Sequence, residues 1–138
     1  MNTADLARIE QTIGRSLPSE LSQFYLNYPA ALRSTVRRLG PDDAGQIYTE
    51  CAADNELLDC PDAIIEMNDR QGGWASDLPA NVFIVGSGEC GETYWVDLDD
   101  ASAAVHRFDA GTDVEFSDQP WASIDAFAQA MIGTYRDS

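Results

Sequence analysis

The stretch Val82–Asp97, VFIVGSGECGETYWVD, decides the fold because it holds two strand signals separated by a short turn. The uninterrupted apolar run Val82–Val85 is typical of a buried strand. The segment Thr93–Leu98 is rich in β-branched and aromatic residues, which favour strands. Strands joined by so short a connection pair antiparallel. The stretch therefore predicts a β-hairpin whose loop contains three structural glycines, Gly86, Gly88 and Gly91.

Two amphipathic helices are predicted ahead of this hairpin. The first has Thr3 as its N-cap, carries apolar residues at helical spacing, and ends at Gly14. The second starts at Ser16–Pro18, where proline suits the first turn of a helix. Its apolar residues recur at i, i+3, i+4 and i+7 and form one stripe of Leu21, Phe24, Tyr25 and Tyr28.

Further elements complete an α+β pattern. Between the second helix and the hairpin, we expect a helix over Leu32–Leu39, a strand over Gln46–Ala52 and a helix that opens at Cys60. After the hairpin, we expect strands over Ala104–Phe108 and Asp113–Phe116 and a last helix capped by Ser123. The sequence thus predicts an α+β fold in which helices at both ends flank a mainly antiparallel sheet, as one domain over residues 1–138.

Charge is the strongest compositional signal. The chain has 24 acidic residues, eight arginines and no lysine, with a net charge of −16. The first 38 residues hold five of the arginines and three acids, so nearly all of the negative charge lies after them. Such a field repels nucleic acid and anionic membranes and favours a basic protein partner. The same acidity also fits general solubility or adaptation to high salt.

The sequence also bears on location and metals. No stretch approaches the ~20 apolar residues that span a bilayer, and the segment Met1–Leu6 lacks the basic and apolar regions of a signal peptide, so we expect a cytoplasmic protein. The three cysteines form no C-x-x-C pair, and with the single histidine they lack metal-ligand spacing. We expect buried, reduced thiols at Cys51, Cys60 and Cys90, and no metal site formed by these cysteines with His106.

The segment Gly86–Gly91 spells G-x-G-x-x-G, but a dinucleotide site needs its last glycine to open a helix. Here a predicted strand follows instead, so we expect no nucleotide cofactor. Nothing in the sequence places a cysteine beside His106 as a nucleophile–base pair. We therefore predict no catalytic residues, no cofactor and no enzymatic activity.

Residues that could contact a partner lie in predicted loops and at strand ends. Trp95 alternates with apolar neighbours and is expected in the core, whereas the other two tryptophans stand in a loop and at a helix entrance. Acids near strand ends can be displayed by a rigid sheet without disturbing the core. The candidate partner-binding residues are Trp74, Asp97, Asp99, Asp100, Asp109, Asp113, Glu115, Asp118 and Trp121.

Four segments in this order resemble the SUKH superfamily, which includes the Smi/Knr-type cell-wall regulators of fungi and many bacterial proteins. They are Glu10–Tyr25 with its I-G-x-x-L-P core, Glu56–Asn68, the hairpin Phe83–Asp97, and Val105 with Ser123–Phe127. The chain departs from the family at Tyr28–Ala30, where Asn-Gly is common, and residues 30–55 match no family segment.

The resemblance implies an α+β fold with structural rather than catalytic recurring positions. Bacterial members are widely regarded as immunity proteins, which implies that the chain neutralises a secreted toxin, with a basic nuclease as one candidate. We expect the chain to be a monomer or weak homodimer. Two alternatives stay open: a regulatory or scaffold domain in a cellular assembly, and a small enzyme or nucleotide-binding protein that uses the glycine loop.

Overall fold

The computed structural model describes residues 1–30, 60–71, 76–87, 92–109 and 118–137. The helices in these ranges are α1 (Thr3–Ile13), α2 (Ser19–Leu26), α3 (Pro61–Asn68) and α4 (Ile124–Asp137). The strands are β1 (Val82–Ser87), β2 (Glu92–Asp97), β3 (Val105–Asp109) and β4 (Asp118–Trp121). This arrangement confirms the predicted α+β fold. The helix expected over Leu32–Leu39 and the strand expected over Gln46–Ala52 lie outside the described residues.

Helix α1 is closed by capping at both ends. Asn2, not Thr3, is the N-cap, and it forms a reciprocal capping box with Asp5 that satisfies two backbone N–H groups. At the other end, Gly14 adopts a φ of 75°, a left-handed conformation that glycine takes without steric cost. Next, the Glu10 carboxylate accepts a 2.7 Å hydrogen bond from the backbone N–H of Leu17 and fixes the link to α2.

Helix α2 buries the predicted apolar stripe. Leu21, Phe24 and Tyr25 are buried, and Tyr28 packs at the margin of the core. The helix begins at Ser19 with Pro18 at the cap position, slightly later than predicted. The Phe24 ring meets both tyrosine rings edge-on, an arrangement that aromatic pairs prefer.

Helix α3 starts at Pro61, whose missing N–H costs nothing in a first turn. Its Ile64 is fully buried in the main core, and the helix contacts both α1 and β1. At the surface, Arg8 of α1 donates a 2.7 Å hydrogen bond to the carboxylate of Asp62, so one charge pair bridges the two helices.

The strands form a meander in the order β1-β2-β3-β4, and each neighbouring pair is antiparallel. The predicted hairpin is confirmed by the β1–β2 pairing, although Gly88 and Gly91 lie outside the described residues. Gly86 lies within β1 rather than in the loop, at a register shift opposite Tyr94. The last described strand is β4, whereas the strand expected over Asp113–Phe116 falls outside the described residues.

Side chains on the two faces of the sheet enter different clusters. One face contributes the main core together with residues of all four helices, among them Ile9, Leu21, Ile64 and Phe127. The opposite face holds a smaller cluster of Val82, Ile84 and Trp95, against which Met67 and Leu78 pack. Trp95 is 7% exposed, so its predicted place in the core is confirmed.

Helix α4 closes the main core. The Ser123 hydroxyl accepts a hydrogen bond of 3.1 Å from the N–H of Ala126, as expected of an N-cap. Ile124, Phe127 and Ala128 are buried on one face of the helix. Within the described ranges, none of the helices has both the length and the apolar character needed to cross a membrane.

Candidate functional site

The structure brings some of the candidate partner-binding residues together and separates others. Asp97, Asp99 and Asp100 share the turn between β2 and β3, which we call the acidic turn (Asp97–Ser102). Asp109 and Asp118 are at the far ends of β3 and β4, and the placement of their side chains is not described. The remaining candidates in loops, Trp74, Asp113 and Glu115, lie outside the described residues.

The acidic turn is held by its own carboxylates. Asp97 accepts a hydrogen bond of 2.9 Å from the N–H of Asp99. Asp100 accepts bonds of 3.0 Å from the N–H and 2.7 Å from the hydroxyl of Ser102. Ala103 leaves the turn with a φ of 51°, a left-handed conformation that is uncommon for a residue with a side chain. The turn is therefore a defined element and presents its charges in fixed positions.

Hydrogen bonding keeps Asp100 in its charged form. The Ser102 hydroxyl, followed by the Ser102 backbone N–H, lowers the pKa of the Asp100 carboxyl below its ordinary value. Donors that point at a carboxylate favour the ionised state, which explains the direction of this shift. The Asp100 carboxylate thus keeps its negative charge at any pH near neutral.

Asp99 is the most accessible acid of the turn. Its side chain is 66% exposed and forms an ion pair with Arg15, which follows Gly14 in the α1–α2 connection. An ion pair this exposed adds little stability, because water and salt screen both charges. Its effect is to orient the Asp99 carboxylate, whose other oxygen has no hydrogen-bond donor among the described residues.

The sheet separates the acidic turn from the other candidate acids. Asp109 pairs with Glu92 at the start of β2, and Asp118 stands opposite Arg107. Along β2, Asp109 is level with Glu92, about 17 Å from Asp97 at the usual rise, whereas Asp118 is level with Tyr94, about 10 Å from Asp97. A standard interface of about 800 Å² per partner is roughly 30 Å across, so one partner can contact both the acidic turn and the far ends of β3 and β4.

Trp121 belongs largely to the core. It is the last residue of β4 and is half-buried, with its ring centroid 4.6 Å from that of Phe127 and 5.8 Å from that of Tyr94. A ring held this way is rigid. Only its remaining exposed part is open to a partner, so it is a smaller anchor than a loop tryptophan.

The catalytic and nucleotide alternatives find little geometric support. The His106 ring stacks on Trp95 with centroids 4.3 Å apart. Cys60 is exposed at the start of α3, so its expected burial was wrong, and Cys51 and Cys90 lie outside the described residues. In the described ranges, no group of three or more His, Cys, Asp or Glu side chains could hold a metal ion. Four residues separate the antiparallel strands β1 and β2, too few for the crossover helix of a dinucleotide site.

Some acidic surface was missed at the sequence level. Glu66 on α3 and Asp77 just before β1 are exposed, as is Asp62, which pairs with Arg8. The helical spacing of Asp62 and Glu66 away from the buried Ile64 is the signal that could have located them. These three acids are exposed charges outside the acidic turn, two on α3 and one in the segment before β1.

Comparison with known proteins places the chain in a family. Residues 1–129 match the model of the SMI1 / KNR4 family (SUKH-1). Neither a search of curated proteins nor a search of solved structures returned a match. Because the family model covers most of the 138 residues and the fold agrees with the one that the resemblance implied, the chain belongs to the SMI1 / KNR4 family, SUKH-1.

Proposed function

We propose that this chain is an immunity protein, which binds a secreted bacterial toxin directly and neutralises it. The observation that carries the proposal is the SUKH-1 match over residues 1–129, because bacterial members of the superfamily are widely regarded as immunity proteins. The acidity of the chain supports a basic partner, and a nuclease domain is one toxin class with a basic active cleft.

The motif residues that carry the family resemblance have structural roles in the described ranges. Glu10 fixes the α1–α2 link, Gly14 ends α1 in a left-handed conformation, and Phe24 fills the core. Asn68 binds the backbone of β1, and Gly86 sits at the bulge of that strand. This distribution supports a structural role for the motif residues, with partner specificity assigned to residues on the surface.

The acidic turn supplies carboxylates that could occupy the positions of phosphates in a nuclease cleft. Its hydrogen bonds hold the backbone of the turn, so little conformational freedom is lost when a partner binds. Long-range attraction to a basic surface would raise the association rate, whereas apolar contacts would set the dissociation rate. The turn is the described part of the candidate surface that best fits this role.

The alternative is a regulatory or scaffold domain that joins a cellular assembly. The matching family model carries the names of the SMI1 and KNR4 proteins, and the Smi/Knr-type members of fungi are cell-wall regulators. That role also requires protein binding and no catalysis. The two proposals differ in the partner, which is a toxin in one case and a resident protein in the other.

Co-expression tests the immunity proposal. The toxic C-terminal domain of a large secreted protein encoded beside this chain would be induced in bacteria with or without the chain. We expect the chain to restore growth, whereas an unrelated acidic protein of similar size and charge should not. Continued killing in the presence of folded, abundant chain would contradict the proposal. Recovery of the chain in a stable housekeeping complex would then favour the scaffold alternative.

A further inference from the structure

Strand β1 is an edge strand of the described sheet, with β2 on its inner side. In an antiparallel strand, the backbone groups of alternate residues point to opposite sides. The Leu98 N–H donates a 2.8 Å hydrogen bond to the Asn81 carbonyl oxygen on the inner side, so the groups of Val82 and Ile84 point outward, where the Val82 N–H donates to the carbonyl oxygen of Pro79 at 3.0 Å. An outer edge like this is a template for pairing with another strand.

The side chain of Asn68 occupies this edge as a neighbouring strand would. Its Nδ2 donates a 3.0 Å hydrogen bond to the carbonyl oxygen of Ile84, and its Oδ1 accepts one of 2.7 Å from the Ile84 N–H. The same Nδ2 also donates to the carbonyl oxygen of Ile64, which anchors the amide to α3. Asn68 is 0% exposed, so water cannot replace these bonds without an opening of the structure.

Arg70 closes the next position along the edge. Its guanidinium donates to the carbonyl oxygen of Val82, and also to those of Pro79 at 3.2 Å and Asn68 at 2.9 Å. Asn68 and Arg70 together, which we call the edge cap, therefore satisfy the outward N–H of Ile84 and the outward carbonyl groups of Val82 and Ile84.

The sequence of β1 would make an uncovered edge prone to pair with strands of other chains. Val82–Gly86 carries no charge and consists of β-branched, aromatic and small residues. Uncharged segments of high β-propensity on an exposed edge are the usual starting points of strand-mediated association. The common protections are edge charges, bulges or a covering helix. Here Asn68, the last residue of α3, and Arg70 just after it close the edge by their hydrogen bonds to β1.

We propose that the outer edge of β1 is a latent strand-pairing surface, which the edge cap keeps closed, and that β1 of a second copy of this chain occupies it when the cap is removed. Antiparallel pairing of two β1 edges is self-complementary about a twofold axis, so each copy offers the other the same groups. The net charge of −16 opposes this association, so added salt should strengthen it, opposite to its effect on binding of a basic partner.

The intact protein gives the first test, by hydrogen exchange of backbone amides. We expect the Ile84 amide to exchange at least about 100-fold more slowly than an unprotected amide, because its hydrogen bond to Asn68 must break first. Exchange of Ile84 near the unprotected rate, in a protein whose inward amides of β1 and β2 are protected, would contradict the proposal.

The second test removes the cap in the variant Asn68→Ala/Arg70→Ala. Its control, Asn27→Ala/Arg8→Ala, deletes the same residue types at exposed positions and changes the net charge equally. We expect the capless variant to form dimers in light scattering after gel filtration, with a dimer fraction that rises with sodium chloride. The control and the wild type should stay at the wild-type mass.

A synthetic peptide provides a direct probe of the opened edge. A fluorescent peptide with the sequence of Asn81–Ser87 should bind the capless variant at least about tenfold more tightly than the wild type, the change expected for one strong hydrogen-bond pair made available. The same peptide with N-methylated amides should not bind, because it cannot donate backbone hydrogen bonds to the outer edge of β1.

The proposal would be overturned by a capless variant that unfolds cooperatively, stays monomeric at every salt concentration and does not bind the peptide. If the double variant does not fold, Asn68→Ser replaces it in the light-scattering and peptide-binding measurements, because serine can keep only part of the hydrogen bonding to Ile84. Peptide binding without salt-dependent dimers would contradict the choice of a second copy as occupant.

Discussion

Arg15 and Asp99, 84 positions apart in the sequence, form an ion pair that joins the α1–α2 connection to the acidic turn. The pair links the part of the chain with excess positive charge to the part that holds nearly all of the negative charge. Its exposure means that it orients a carboxylate more than it stabilises the fold.

A double-mutant cycle on this pair checks that view. Asp99→Asn, Arg15→Gln and the double variant should give a coupling free energy below about 1 kcal/mol in urea unfolding, because both charges are screened by solvent. The pair Arg8 and Asp62, also exposed, serves as the matched control and should behave alike. A coupling well above this range would show that the pair is a structural element, and Asp99 would then be a poor candidate for partner contact.

The second prediction concerns the buried hydroxyl of Tyr25. Tyr25 is 1% exposed, and its hydroxyl has no hydrogen-bond partner within the described structure. Burial raises the pKa of this phenol far above its ordinary value, since the charged form loses its hydration. At neutral pH, Tyr25→Phe should leave stability unchanged or raise it by up to about 1 kcal/mol, because it removes no hydrogen bond to any described residue.

At alkaline pH the same residue should weaken the fold. Above the unfolded pKa of about 10, Tyr25 loses its proton in the unfolded chain but keeps it in the folded one, so stability falls as pH rises. Tyr25→Phe removes this loss. Above pH 10, the unfolding free energy of the Tyr25→Phe variant should therefore fall less steeply than that of the wild type. The two slopes should differ by up to about 1.4 kcal/mol per pH unit. Urea midpoints measured between pH 8 and 11 give stability as a function of pH for both proteins. Parallel curves would show that the pKa of Tyr25 is not raised by folding.

The third prediction concerns Asn68 as a stabilising residue. Asn68→Ala leaves buried groups of Ile84 without partners and should cost about 2–4 kcal/mol in unfolding free energy. Asn27→Ala removes a single exposed bond to the carbonyl oxygen of Gln23 and should cost much less, within about 1 kcal/mol. Equal losses for the two variants would mean that the bonds of Asn68 to β1 do not stabilise the fold.

Asn68 also shows what the sequence alone could not reveal. Its place in the family-like segment was visible, but its bond to Ile84 joins residues 16 positions apart and depends on how α3 packs on β1. Local signals were more informative. Gly14, Pro61 and Ser123 mark helix ends through backbone preferences that act over a few residues, and the structure has them there.

The candidate site was less predictable than the fold, because a surface depends on which strand ends meet. The adjacency of Asp97, Asp99 and Asp100 follows from their sequence, whereas their separation from Asp109 and Asp118 follows from strand direction. Trp121 illustrates the same point. Its position after Pro120 suggested a helix entrance, but pairing with Val105 extends β4 through it and turns its ring toward Phe127.

The fourth prediction separates the acidic turn from overall charge as the source of partner attraction. Asp97→Asn/Asp99→Asn/Asp100→Asn removes three charges, yet each asparagine keeps an oxygen that can accept the hydrogen bonds of the turn. The matched control, Asp62→Asn/Glu66→Gln/Asp77→Asn, removes three exposed charges outside the acidic turn.

With the cognate toxin domain, the turn variant should associate about tenfold more slowly than the wild type at low salt, and the control variant only slightly more slowly. Stopped-flow fluorescence across a salt series measures both rates. Equal slowing of the two variants would assign the effect to net charge alone. No slowing by either variant or by salt would show that the acidity serves solubility.

Calorimetric titration of this chain with a toxin domain, identified from a neighbouring gene and neutralised by the chain in co-expression, tests the central claim, that the protein acts by binding a toxin directly. The account predicts a one-to-one complex with a Kd in the nanomolar range or below, about −12 kcal/mol of binding free energy or more, as specific inhibitory interfaces reach. It also predicts that a catalytically inactivated toxin domain binds equally well. The absence of binding at concentrations of about 10 μM would contradict the claim, because the binding free energy would then be weaker than about −7 kcal/mol.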